Sequence, residues 1–116
     1  MNTYEMEEGL KFAVENPNFD FGVHLTVTSE WKYHKWGGIL DKAKTPSLHN
    51  SANNFYWNKR KFVKNADLNE IKMELQAQIS LAKSMGLKPS HIDSHEGALF
   101  FDPNIFKIYI DLAIEN

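Results

Sequence analysis

A chain of 116 residues with 42% hydrophobic and 13% aromatic content carries enough apolar mass for one packed domain, which excludes a disordered tail. Its formal net charge of -2 offers no basic field to nucleic-acid phosphates or an anionic membrane surface, so neither is expected as a partner. With no cysteine, disulfide frameworks and thiolate metal sites are excluded, and any metal must be held by imidazole and carboxylate.

In chain order, the opening MNTYEMEEGLKF lacks the basic start and apolar run of a signal peptide, and no apolar stretch of about 18 residues follows. The expectation is a soluble, cytoplasmic protein. Met6, Leu10, Ala13 and Val14 recur at helical spacing over Glu5 to Glu15, and Asn16-Pro17-Asn18 stops the helix. FDFGVHLTVTSEW then alternates, with Phe19, Phe21, Val23, Leu25 and Val27 on one side and Asp20, Gly22, His24, Thr26 and Thr28 on the other. This predicts a strand with a polar face that bears a histidine. Trp31 to Lys64 shows no sustained period and reads as a long loop excursion, in which His34 and His49 are expected to be solvated. Asp67 is an N-cap with Glu70 three residues on, the spacing of a capping box, and Leu68, Ile71, Leu75, Ile79, Ala82 and Met85 form one apolar stripe. Gly86 closes that helix. A second strand is predicted over Ser90 to His95, and Asp102-Pro103 opens a last helix with Phe106, Tyr109, Ile110 and Ala113 facing inward. Helices alternating with strands favour an α/β layer with parallel strands.

The chemistry concentrates in SHIDSHEG. His91, Asp93 and His95 occupy alternate positions, so a strand would aim all three one way, and His24 lies on the neighbouring strand. Imidazole and carboxylate suit a divalent metal; a lone strand histidine such as His24 is more often an ordinary hydrogen-bonded residue than a ligand. Trp31, Tyr33, Trp36, Phe55, Tyr56 and Trp57 suit either a sugar-stacking surface or a loop clamped by its own aromatics.

FGVHLTVTSEWKYHKWGGIL, TPSL, ELQAQISLAKSMGLKPSHIDSHEGALF and FKIYIDLAIEN together resemble the YdjC-like carbohydrate deacetylase family, which includes chitooligosaccharide deacetylases. The resemblance implies a (β/α)-barrel-type fold and metal-dependent hydrolysis of N-acetyl groups on amino sugars or oligosaccharides, with Mg or Zn as the ion. It carries the metal-binding histidines onto His24 and His95. His91 and Asp93 become groups facing substrate or supporting the ligands, with His91 a proton donor to the leaving amine, and Trp31, Tyr33 and Trp36 line the sugar groove. Glu96-Gly97 departs from members that continue with further histidines. The family's opening strand, ending in an aspartate pair that supplies the remaining ligand and the base, would precede Met1. Residues 1–116 therefore read as a single domain that is a middle segment of a longer one, with that strand and the later strands missing. The alternative is a non-catalytic binding module that completes its truncated sheet as a homo-oligomer.

Overall fold

Two four-residue strands, β1 (Gly22–Leu25) and β2 (His91–Ser94), pair in parallel, with Gly22 opposite His91 and His24 opposite Asp93. Around them lie α1 (Thr3–Glu15), α2 (Lys59–Asn65), α3 (Leu68–Ser84) and α4 (Pro103–Glu115). The computed structural model describes residues 3 to 116, with side chains from Glu7 onward, so the predicted inward position of Met6 lies outside the described side chains. Parallel strands require a long crossover. Helix α3 provides it, packing against both β1 and α4. The result is a small parallel sheet in a mixed helix and strand fold.

The alternation read in the sequence sets the faces of β1 and of the residues just after it: Val23, Leu25 and Val27 turn into the core while His24 stays exposed, but Thr28, read on the polar side, is buried as well. Phe19 does not follow it and is 64% exposed. The strand begins only at Gly22, and ladder pairing stops where four-residue β2 ends. Beyond Leu25 the side chain of Gln78 takes over the pairing, donating to the Thr26 carbonyl at 2.8 Å and accepting from its N–H at 3.0 Å.

Helix α3 has the expected core stripe at Ile71, Leu75, Ile79 and Ala82, whereas Leu68 is 43% exposed in its first turn. Asp67 caps it by accepting from the Glu70 N–H, but Glu70 does not reciprocate; its carboxylate accepts from the Ser47 N–H, and the Asp67 N–H donates to Ser47 Oγ. The predicted box is thus shared with the excursion. At the other end Gly86, at φ +98°, permits a Schellman closure in which Leu87 N–H reaches the Ala82 carbonyl and Gly86 N–H that of Lys83.

The inward face of α4 is Ile105 and Leu112, with Ile108 and Tyr109 half-buried. This corrects the predicted face: Phe106 and Ile110 are exposed at 42% and 39%, and Ala113 is exposed too. The helix is apolar nearly all round, so periodicity could not say which side meets α3. Asp102 caps it as predicted, accepting from the Asn104 and Ile105 N–H groups.

The excursion is more ordered than its sequence suggests. It contains a 3-10 turn at Pro46–Leu48 and helix α2, capped by Asn58 through the Lys61 N–H. Only Phe62 of α2 is buried, too little for a period to register. His34 is exposed as predicted, but His49 is a correction: it is buried, stacked on Phe55 at 5.2 Å between ring centroids. Its Nδ1–H donates to the Thr45 carbonyl at 3.0 Å and its Nε2 accepts from the Gly38 N–H at 3.0 Å.

Candidate metal centre

Parallel α/β sheets gather reactive groups at the carboxyl ends of their strands, where loops begin. Register places His24 beside Asp93. Past Ser94 the chain leaves β2 through a 3-10 stretch, His95–Phe100, broken by Glu96 and Gly97 at φ +55° and +65°. Ser94 Oγ fastens this turn by accepting from the Leu99 N–H at 3.0 Å.

Four side chains form one continuous line here. His24 Nδ1 lies 2.5 Å from Asp93 Oδ1, His24 Nε2 lies 3.2 Å from His95 Nδ1, and His95 Nε2 lies 2.9 Å from Glu30 Oε2. The two rings meet edge to face at 84°. An ionised carboxylate can only accept, so the outer nitrogens, His24 Nδ1 and His95 Nε2, carry the protons. In neutral rings that leaves His24 Nε2 and His95 Nδ1 as lone pairs pointed at each other, an arrangement that favours a cation between them. Burial raises the Glu30 carboxyl, but hydrogen bonds from His95, from its own backbone N–H and from Trp31, together with the charge of a protonated His95, outweigh it and hold the group below its ordinary value. Thr28 Oγ1 donates to Glu96 Oε2 at 3.1 Å, and Glu30, His95 and Glu96 offer ligand atoms within 4.8 Å of one another.

Of the residues read from sequence, His24, Asp93 and His95 meet here. His91 stands apart: its ring fills the space over Gly22, and its Nδ1 lies 2.9 Å from Ser90 Oγ, toward the amino end of β2. Trp31 and Trp36 help line a cavity of about 640 Å³ that opens onto Glu30 and His95, with Thr26 and Gln78 at its wall. Tyr33 is 90% exposed beneath Lys32 and is not among the residues lining that cavity. Sequence reading missed Glu30 and Glu96. Adjacency to His95 could have flagged Glu96, and the alternation of FDFGVHLTVTSEW, which puts residue 30 on the same side as His24, could have flagged Glu30.

Paired imidazoles backed by carboxylates at the ends of parallel strands define an α/β unit with a histidine-centred site. The family model for YdjC-like proteins matches residues 1–116, and the chain belongs to that family. A carbohydrate deacetylase of Thermus thermophilus is 33% identical over 94 residues, covering 81% of this chain and 34% of the relative. One from Enterococcus faecalis is 33% identical over 110 residues, covering 95% and 40%. A crystal structure from Enterococcus faecalis, described as a cellobiose-phosphate cleavage protein, superposes with a TM-score of 0.80 at 29% identity, over 94% of this chain and 40% of that one. The chain thus spans about 40% or less of the length of these proteins. Among the described residues no helix is long and apolar enough to cross a membrane.

Proposed function

We propose that this chain carries the histidine half of a metal-dependent carbohydrate deacetylase site, in a middle segment of a (β/α)-barrel, acting on N-acetylated amino sugars or oligosaccharides. The observation that carries the reading is the pair of facing nitrogens, His24 Nε2 and His95 Nδ1, at 3.2 Å. Two nitrogens bound to one tetrahedral zinc at ~2.0–2.1 Å are themselves about 3.3–3.4 Å apart, so the separation fits a shared ion. Outer nitrogens engaged by carboxylates are the usual support of ligand imidazoles. Names of relatives, each a carbohydrate deacetylase, support the substrate class.

When bound, a Zn or Mg ion would polarise an acetyl carbonyl and lower the pKa of a water. The chain's own residues would do the rest. His24 and His95 hold the ion, and Asp93 keeps His24 in the required tautomer. Trp31 and Trp36 offer aromatic faces to a sugar ring in the adjoining cavity. A proton-donor role for His91 requires its ring to leave Gly22 and Ser90 and reach past roughly 7 Å of strand. The aspartate pair implied by the resemblance belongs on a strand ahead of this segment.

Acetate release from N-acetylglucosamine oligomers, with Zn or Mg added, tests the reading. A metal-dependent rate that falls to background in His24→Ala supports it. Equal rates in both proteins overturn deacetylase activity for this polypeptide.

A second reading, an assembly module, is favoured by the outer edges of a two-stranded sheet, which no strand pairs among the described residues, and by exposed Phe100, Phe101 and Ile114.

A further inference from the structure

We propose that Glu30 is a positioning residue that fixes His95 in its Nε2–H tautomer and so makes Nδ1 the nitrogen turned toward His24. Its consequence for metal binding rests on the reading above; its geometry does not. Both Glu30 oxygens approach His95 Nε2, at 3.0 and 2.9 Å, and each side chain is only about a quarter exposed, 23% for His95 and 24% for Glu30, which limits competition from water.

The loop that brings Glu30 there is itself anchored. Ser29, the residue before it, donates its N–H to the Tyr56 carbonyl at 2.9 Å, receives the Trp36 N–H on Oγ at 3.1 Å, and receives Lys35 Nζ on its carbonyl at 2.8 Å. A carboxylate on so constrained a backbone is preorganised. Asp93 meets His24 from β2, and Glu30 meets His95 from beyond β1, so the rings are held in opposite tautomers with their lone pairs facing. Without Glu30, His95 gains most by moving its proton to Nδ1 and donating to His24 Nε2 across the same 3.2 Å, which closes the gap to a metal.

Nitrogen-15 NMR of the metal-free 116-residue chain, at a pH where imidazoles are neutral, reads this directly. In the wild type His95 is protonated at Nε2; in Glu30→Ala the proton moves to Nδ1; in Glu30→Gln, whose amide oxygen still accepts, Nε2–H persists. Zinc titration then gives an affinity about 10–100-fold weaker in Glu30→Ala, with Glu30→Gln between. A wild type protonated at Nδ1, or a Glu30→Ala variant identical to wild type in tautomer and zinc affinity, overturns the proposal. If Glu30→Ala does not fold, the wild-type and Glu30→Gln spectra decide it. A wild type that binds no zinc but shows the expected tautomers defeats the metal reading and leaves Glu30's role standing.

Discussion

Three imidazoles in this chain have both nitrogens engaged, and their partners separate structure from chemistry. His49 gives its proton to one backbone carbonyl and receives one from a backbone N–H, so no lone pair is left to bind anything. Neutral His24 and His95 give their protons to carboxylates, and the nitrogens they turn toward each other keep a lone pair each. Tyr109 shows the same dependence on surroundings: its hydroxyl donates to the Ile92 carbonyl at 2.7 Å. Burial raises its phenol above the ordinary value, and the charge of Asp93 adds to the effect. A raised pKa in the fold means that the stabilisation is complete below the unfolded tyrosine value of about 10, and is lost as pH rises through the folded value. Ultraviolet titration should therefore show a late-ionising phenol, and Tyr109→Phe should remove that late step. An unchanged alkaline titration in the variant would refute the assignment. Residue types and strand alternation made His24, Asp93 and His95 legible in the sequence; the burial of His49 was not, because its partners are backbone groups that composition cannot reveal.

At the scale of elements, caps and stops were the most legible features, since Asp67, Gly86 and Asp102 act through neighbours a few residues away. What local reading missed lay on the same core stripe. Positions 71, 74, 75, 78, 79 and 82 form a continuous helical face, so Glu74 and Gln78 had to be buried along with Ile71, Leu75, Ile79 and Ala82. Glu74, wholly buried, accepts from the Ile39 N–H at 2.7 Å, the Leu40 N–H at 3.0 Å and Gln78 Nε2 at 2.9 Å. Gly38 must be a glycine for this approach, because a Cβ there would come within 2.6 Å of the carboxylate. This clamp pins the excursion to α3, and Gln78 extends it to the end of β1, so one helix holds both the cavity wall and the strand bearing His24. Leaving a buried donor without its acceptor costs about 1–3 kcal/mol, so Glu74→Ala should lose at least about 2 kcal/mol. Urea denaturation measures it; a variant as stable as the wild type would show that the clamp follows the fold and does not support it.

Across the whole molecule, the order of helices and strands was readable because each long segment had its own period, but the outer limits of the sheet depend on what lies beside it. Two parallel strands offer little independent stability, and among the described residues the outer edge of each leaves backbone donors and acceptors without ladder partners. Beside them, Phe100, Phe101, Phe106, Ile110 and Ile114 form an apolar surface along α4 and the turn before it, with exposures from 39% to 79%. A surface of this kind on an isolated chain favours association, since apolar area removed from water contributes about 25 cal/mol per Å². The 116-residue chain should therefore sediment at tens of micromolar with a mass above the 13.4 kDa of one copy, and approach that mass on dilution. Phe106 and Ile110 sit on the outward side of α4, so replacing both with lysine should shift the equilibrium to monomer without loss of helical signal. A wild type that stays monomeric at every concentration would mean that this face needs no cover, and the assembly reading would then have nothing to rest on.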